Sequence, residues 1–129
     1  MRLIRSLAHP LLGAVFVNGG LSVLQDPAPR AKLAAPVVER VASMVPFAPT
    51  DPVEAVRLNA MLHVGAGGML AAGIAPRLAA AALAGSTVLT TLGGHRFWEV
   101  TDPKQRGMQR THFLKNAAIL GGLLLAALD

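Results

Sequence analysis

Four long blocks of apolar residues, almost free of charge, constrain the fold of this chain more than any other feature. They are Leu7–Leu24, Leu58–Ile74, Leu78–Leu92 and Phe113–Leu128. A helix of about 20 residues, rising about 1.5 Å per residue, crosses the roughly 30 Å hydrocarbon core of a bilayer. A water-soluble helical bundle would show a polar stripe on each helix, which these blocks lack. The pattern predicts an all-α fold, an integral membrane four-helix bundle.

The second block combines a clear helix start with polar residues inside an apolar stretch. Asp51 can cap the first amides of a helix, and Pro52 suits the first helical position. Further along, Asn59 and His63 stand four residues apart and share one helix face. A row of small residues begins at Gly67 and allows another helix to approach closely. We expect a membrane helix with a polar notch.

Composition supports a single membrane domain over residues 1–129. Hydrophobic residues make up 53% of the chain and charged residues only 15%, whereas a soluble domain carries about a quarter charged residues. A length of 129 residues fits one domain. We expect spans at about residues 7–24, 53–74, 77–93 and 110–128.

The distribution of charge and the absence of cysteine exclude two classes of function. The net charge is +5, but the basic residues lie between the apolar blocks and aromatic residues make up only 4%, so nucleic-acid recognition is not supported. Basic residues beside spans instead orient a membrane protein and contact anionic headgroups. Without cysteine, the chain carries no disulfide, thiolate metal site or iron–sulfur cluster.

Two segments have more than one interpretation. The first apolar block follows a basic start, as in a signal peptide, but it is longer than the usual apolar region, so we expect a retained first span. In the proline-rich connection of residues 25–50, Pro36–Val45 predicts a short amphipathic helix. That helix either lies at the membrane interface or packs over the end of the bundle.

Polar residues inside the apolar blocks are costly unless they are paired, which makes them candidates for a binding site. The candidates for ligand contact are Asn18, Asn59, His63 and Asn116, with Thr90 and Thr91 beside them. If they converge between helices, amide and imidazole N–H groups suit the carbonyl oxygens of a quinone head group. The alternative is that they form structural hydrogen bonds between the helices.

The four histidines do not form a recognisable metal site. None pairs with another histidine or a carboxylate at ligand spacing on one helix. A bis-histidine haem that includes His63 is therefore a minor alternative, and we predict no metal. No catalytic residue is assigned.

A second polar group follows the third apolar block. Its members are Arg96, Trp98, Glu99 and Asp102. Tryptophan anchors proteins at membrane–water interfaces, and Asp102 stands directly before a proline, as a helix cap does. The group either meets a partner protein or an anion, or serves only as an anchor and a cap.

The basic residues also predict an orientation. Arg2, Arg5 and Arg77 would lie at one end of four spans and the nine other cations at the opposite end. The positive-inside rule then places both larger connections in the cytoplasm and both termini outside. The basic start before the first span favours the opposite orientation.

Three motifs together resemble the DoxX family of small bacterial membrane proteins. They are the glycine-rich span Asn59–Gly73, the pair Phe97-Trp98 after the third block, and the ending Phe113–Leu124. The likeness covers most of the chain, including four spans with a long first connection. The alanine, arginine and proline content resembles that of actinobacterial members.

This resemblance implies a redox-associated subunit of the bacterial cytoplasmic membrane. The family name derives from a subunit of an archaeal thiosulfate:quinone oxidoreductase. Mycobacterial members are associated with a sulfurtransferase and a superoxide dismutase in a complex linked to oxidative and thiol stress. We therefore expect a subunit that binds a quinone or another lipid-soluble molecule and docks soluble redox partners. The alternatives are a non-enzymatic scaffold or assembly factor and, less favoured, a small transporter formed by oligomers.

Overall fold

The computed structural model describes all 129 residues and contains helices but no strands. Its elements are α1 (Arg2–Gln25), α2 (Ala28–Met44), α3 (Pro52–Ala72), α4 (Pro76–Gly94) and α5 (Pro103–Leu128), with one 3₁₀ turn at Phe97–Glu99. The all-α prediction is confirmed.

The starts of α3 and α5 follow from their local sequence. Asp51 accepts a hydrogen bond from the Val53 amide at 3.1 Å, and Asp102 accepts one from the Gln105 amide at 3.2 Å. A proline follows each cap, at a position where its missing N–H costs nothing. Both predicted caps are confirmed.

A tight turn joins α3 to α4. Gly73 adopts the left-handed conformation with φ of 72°, which glycine reaches without a steric penalty. The Ile74 amide then bonds to the Met69 carbonyl at 2.8 Å and closes the end of α3. Because only three residues separate the two helices, α3 and α4 pack as antiparallel neighbours.

The helix of the first connection is longer than predicted. The expected segment was Pro36–Val45, whereas α2 begins at Ala28 and continues through Pro36 to Met44. The proline leaves the Lys32 carbonyl without its helical donor, but Lys32 is exposed, so this carbonyl remains open to solvation. α2 packs against α3 and α4.

Glycines bring the backbones of α1 and α3 into direct contact. A Cβ atom added to Gly13 would lie 2.3 Å from the Gly67 carbonyl oxygen, and one added to Gly20 would lie 2.7 Å from the Ala60 carbonyl oxygen. No side chain fits at either distance. The close helix approach predicted at Gly67 is confirmed, and its partner is α1.

The buried core lies toward the end of the molecule that carries the α3–α4 turn. Its members are Phe16, Ala66, Leu70, Ala79, Ala80, Leu83, Ala84, Leu123 and Ala126. At this same end Asp129 forms an ion pair with Arg5 at 2.7 Å and accepts a hydrogen bond from Arg77 at 2.6 Å.

Most apolar side chains lie outside this core. Only 18 of 129 residues are buried, and large apolar residues such as Leu78 and Leu125 are about 70% exposed. So large an apolar exterior is typical of a protein surrounded by lipid.

Two helices, α1 and α5, are long and apolar enough to cross a membrane. With 21 and 19 residues, α3 and α4 measure about 32 and about 29 Å. Their length is comparable to the hydrocarbon core, but polar residues such as Asn59, His63 and Ser86 lower their hydropathy. Of the four predicted spans, the first and the fourth therefore meet the length and hydropathy expected of a helix that crosses a membrane, and the second and third do not reach that hydropathy.

Candidate functional site

A mainly apolar cavity of about 490 Å³ lies between the helices. All five α-helices contribute to it, and 16 of its 28 lining residues are hydrophobic. Its polar lining residues are Arg30, Asn59, His63, Thr87, Thr90, His95, Lys115 and Asn116. A cavity of this size, apolar with a few convergent polar groups, has the form of a small-molecule site.

A polar network joins α3 to α4 at the wall of this cavity. The Ser86 hydroxyl donates to Asn59 Oδ1 at 2.5 Å and lies 2.6 Å from His63 Nε2. Asn59 Nδ2 lies 3.4 Å from the same ring nitrogen. The helical spacing of Asn59 and His63 places both beside Ser86, so one hydroxyl on α4 contacts two side chains on α3.

The pattern of bonds assigns the ring proton of His63. Ser86 has one hydroxyl proton, which it donates to Asn59, so the contact with Nε2 requires that Nε2 carry the proton and donate to the Ser86 oxygen. Nδ1 is then the acceptor of the neutral ring, and the Asn59 amide N–H groups have no acceptor within the network. The imidazole N–H that was expected to meet a ligand is engaged by Ser86.

The free nitrogen of His63 remains accessible. Nδ1 has no hydrogen-bond partner in the protein. Every fully buried polar side-chain atom does have a partner. Nδ1 is therefore not fully buried. Since His63 lines the cavity, the wall offers one acceptor at Nδ1 and donors at the Asn59 amide.

An aromatic contact and a glycine hold the imidazole in place. The Phe16 ring meets the His63 ring edge to face, with centroids 5.1 Å apart. Across the same contact, a Cβ atom on Gly20 would lie 3.1 Å from His63 Cβ. The close approach of α1 therefore fixes the position of the ring.

The predicted ligand residues divide into two groups. Asn59, His63 and Asn116 all line the cavity, and Asn116 also donates to the Thr91 hydroxyl at 3.0 Å. Asn18 lies exposed on α1, outside the cavity lining, and makes no side-chain hydrogen bond. The structure brings the first three to one space and leaves Asn18 apart.

The second predicted group lies outside the cavity. Arg96 pairs with Glu99 at 2.9 Å and donates to the Leu92 carbonyl at 2.9 Å, so it closes the end of α4. Trp98 is 46% exposed and packs edge to face against the ring of Phe113. Asp102 caps α5.

A cluster at the end of α4 was not anticipated from the sequence. His95 Nδ1 donates to Gln109 Oε1 at 2.7 Å, and the rings of His95 and His112 stack with centroids 5.1 Å apart. Burial lowers the pKa of His95, the bond to Gln109 opposes that shift, and the charges of Arg30, His112 and Lys115 lower the pKa further. These groups converge from α2, α4 and α5, whose proximity no local spacing reveals.

The sequence analysis also did not single out three residues of the site. Ser86, which bonds to Asn59 and His63 beside the cavity, was not named, and Arg30 and Lys115, which line the cavity, were counted only among the cations beside the spans. A signal exists for Lys115, because it is the only charge inside the fourth apolar block.

The family model of DoxX matches residues 6–96, which extend from α1 to just beyond α4. The chain belongs to the DoxX family. This confirms the predicted membership and makes the chain a helical membrane protein, in agreement with its apolar exterior. No curated protein matches this DoxX chain, and no solved structure matches it. The matched region includes the network of Asn59, His63 and Ser86, whereas Asn116 and Lys115 lie beyond it.

Proposed function

We propose that this DoxX protein is a multi-pass protein of the bacterial cytoplasmic membrane, with α1, α3, α4 and α5 as a four-helix bundle. Its apolar exterior and the lengths of these helices support the proposal. In this arrangement α2 lies at the membrane interface and covers one end of the cavity, to which it contributes Leu33, Val37 and Val41.

The function we propose is the binding of a quinone or a similar lipid-soluble molecule in the cavity. The observation that carries it is the network of His63, Ser86 and Asn59 at the wall of a mainly apolar space of about 490 Å³. A hydrophobic molecule with few polar atoms matches such a lining.

The hydrogen-bonding groups that the network leaves free match both the oxidised quinone and the reduced quinol. The Asn59 amide can donate to a carbonyl oxygen, and His63 Nδ1 can accept from a hydroxyl group. A bound quinone would supply reversible electron and proton chemistry, while the residues of the chain bind and orient it. Asn116 supplies a further amide at the α5 side of the same cavity.

We further propose that the connection between α4 and α5 docks soluble redox partners. Trp98 and Glu99 are exposed there, beside a 3₁₀ turn that is fixed by the Arg96–Glu99 ion pair. The DoxX relationship suggests a sulfurtransferase and a superoxide dismutase as partners in a response to oxidative or thiol stress.

Quinone content tests the cavity site. The protein is purified in mild detergent, its lipid extract is analysed for quinone, and the affinity for added ubiquinone or menaquinone is measured. We expect quinone to copurify, and we expect His63→Ala to weaken binding of the added quinone in its reduced form roughly tenfold, because the hydrogen bond from the quinol hydroxyl to Nδ1 and the ring contact are lost.

Asn18→Leu is the matched control for this experiment. Asn18 is a polar residue of the apolar blocks that lies outside the cavity, so its replacement should leave quinone affinity unchanged. Absence of quinone from the extract, together with unchanged affinity of His63→Ala, would contradict the proposed site.

A scaffold or assembly factor is the second candidate function. One observation favours it: the Ser86 hydroxyl on α4 bonds to both Asn59 and His63 on α3, as expected if the network only holds α3 to α4. In that case His63→Ala would lower thermal stability, no quinone would bind, and a soluble partner would copurify in stoichiometric amount without redox activity.

A further inference from the structure

Positive charge collects at one end of the cavity. Arg30 and Lys115 line that end beside His95, and no carboxylate lines any part of the cavity. Neither Arg30 nor Lys115 forms an ion pair, since the two ion pairs of the protein are Arg5–Asp129 and Arg96–Glu99. Two cations are therefore left without a counter-charge beside an apolar space.

Both cations lie near the end of α4. Arg30 Nη1 lies 3.6 Å from the position of a Cβ atom on Gly94, and the neighbour of Lys115, Asn116, bonds to Thr91 at 3.0 Å. Both charges also act on His95, whose pKa they lower. The C-terminal dipole of α4 favours one nearby cation, and both side chains are exposed enough to be solvated. Neither fact accounts for the position of both cations beside one apolar lining.

We propose that the cavity binds an acidic phospholipid, with its phosphate between Arg30 and Lys115 and an acyl chain along the apolar lining. The charge of the site selects an anion, and the hydrophobic lining between the helices selects a molecule with a hydrocarbon tail. Phosphate also suits the guanidinium group of Arg30, which offers several donors in one plane.

This inference rests on the proposed membrane location of the cavity but not on the quinone. Gly94 lies eight positions after Ser86 on α4, which corresponds to about 12 Å along the helix. The network of Asn59 and His63 and the phosphate contacts are therefore distinct parts of one cavity, with Asn116 between them, and separate variants test them.

Lipid preference tests the inference directly. Full-length protein in detergent is titrated with dioleoylphosphatidylglycerol or dioleoylphosphatidylcholine, and the occupancy of each lipid is measured by native mass spectrometry. We expect the phosphatidylglycerol to be preferred, and the double variant Arg30→Gln with Lys115→Gln to lower that preference roughly tenfold or more.

The matched control removes two cations from the same helices but away from the cavity. Arg40→Gln with Lys104→Gln makes the same change in net charge on α2 and α5, at exposed positions outside the lining. This control should keep the wild-type lipid preference. An equal loss in both double variants would overturn the inference, because bulk attraction of anions would then suffice.

Two measurements on the wild-type protein test the inference even if the double variant does not fold. Phosphatidylglycerol with a diazirine on its acyl chain should label cavity residues such as Val38 and Ala60, and the phosphatidylcholine analogue should not. Equal labelling by both lipids would overturn the inference. Complete displacement of phosphatidylglycerol by millimolar inorganic phosphate would overturn it too, because the acyl chain would then contribute nothing.

The outcomes for the two ligands are separable. If His63→Ala abolishes quinone binding and keeps the preference for phosphatidylglycerol, the two parts act independently, as proposed. If no quinone binds but the lipid preference and its loss in Arg30→Gln with Lys115→Gln are observed, the quinone function fails and the lipid site stands.

Discussion

Ser86 links two side chains that would otherwise face each other without a shared partner. Its hydroxyl donates to Asn59 and accepts from His63, and the residue is buried. A buried group that loses its partner retains the cost of its desolvation. The contribution of Ser86 is therefore larger than that of a hydroxyl that bonds only within its own helix.

We predict that Ser86→Ala lowers the free energy of unfolding by about 1–3 kcal/mol and weakens quinone binding. The Asn59 oxygen and the His63 N–H both lose their partner, which accounts for the magnitude. Thermal unfolding in detergent measures the first effect. Ser43→Ala is the control, because Ser43 is exposed and bonds only to the Arg40 carbonyl of its own helix, and a similar loss there would contradict the argument.

His95 makes the stability of the folded protein depend on pH, and the residues around it determine the direction of that dependence. Its folded pKa lies below the usual value of 6.5 because of burial and of the nearby charges on Arg30, His112 and Lys115, despite the bond to Gln109. The unfolded state then binds more protons, so the contribution of His95 to stability is complete above about pH 6.5 and is lost as the pH falls through the folded pKa.

We predict that stability falls as the pH is lowered below the usual pKa of about 6.5, and that His95→Gln reduces this fall, because the titrating ring is removed. Thermal unfolding across this range provides the measurement. Ser43→Ala, which removes an exposed side chain that does not titrate, should leave the pH profile unchanged. A steeper fall in His95→Gln than in the wild type would reverse the assigned sign.

Residues that act locally were predictable, whereas residues that act across helices were not. The caps Asp51 and Asp102 follow from the two or three residues after them. The bond between Ser86 and His63 spans 23 positions, and nothing within the sequence of α4 distinguishes this serine from a packing residue. Exposure of Asn18 likewise depends on which face of α1 meets α3.

At the level of helices, small residues determine which pairs pack together. Gly13 faces the Gly67 backbone, and Gly20 faces the Ala60 backbone, so α1 lies directly on α3 despite the long connection between them. The spacing of small residues indicates where a helix can be approached. It does not identify the partner, which is why the pairing of α1 with α3 emerges only from the structure.

We predict that Gly13→Ala lowers the free energy of unfolding by about 1–3 kcal/mol, because α1 and α3 must separate to admit the methyl group. Gly19→Ala on the same helix is the matched control, since a Cβ atom there meets nothing within 4 Å. Helix propensity makes that control neutral or stabilising by up to about 1 kcal/mol. Equal destabilisation by both variants would contradict the assigned contact.

The proline-rich connection shows where helix prediction stops at the wrong residue. Pro36 favours a helix start, yet α2 begins eight residues earlier, at Ala28, just after Pro27. Packing against α3 and α4 stabilises the additional turns, with Ala31 buried. Tertiary contacts thus outweigh the tendency of a proline to interrupt the helix that contains it.

For the molecule as a whole, packing and cavity occupy opposite ends. The buried core gathers around Leu70, Leu83 and Leu123, near the α3–α4 turn, while α2 and the end of α4 surround the cavity. A packed end and an end that contains a cavity suit a protein that admits a lipid-soluble molecule from one side. The proposed quinone and phospholipid both use the cavity end.

Because the chain contains no cysteine, the membrane topology can be tested with single introduced cysteines, and no native thiol of this protein reacts with the label. In a four-span bundle, single cysteines at Thr50 and Thr101 lie at the cavity end, and one at Ile74 lies at the opposite end; all three positions are exposed. The charge distribution predicts that the cavity end faces the cytoplasm. We therefore expect Thr50→Cys and Thr101→Cys to react with an impermeant maleimide only in inverted vesicles, and Ile74→Cys only in intact spheroplasts. The opposite labelling would reverse the orientation and keep the bundle, whereas labelling of all three from one side would exclude α3 and α4 as membrane spans.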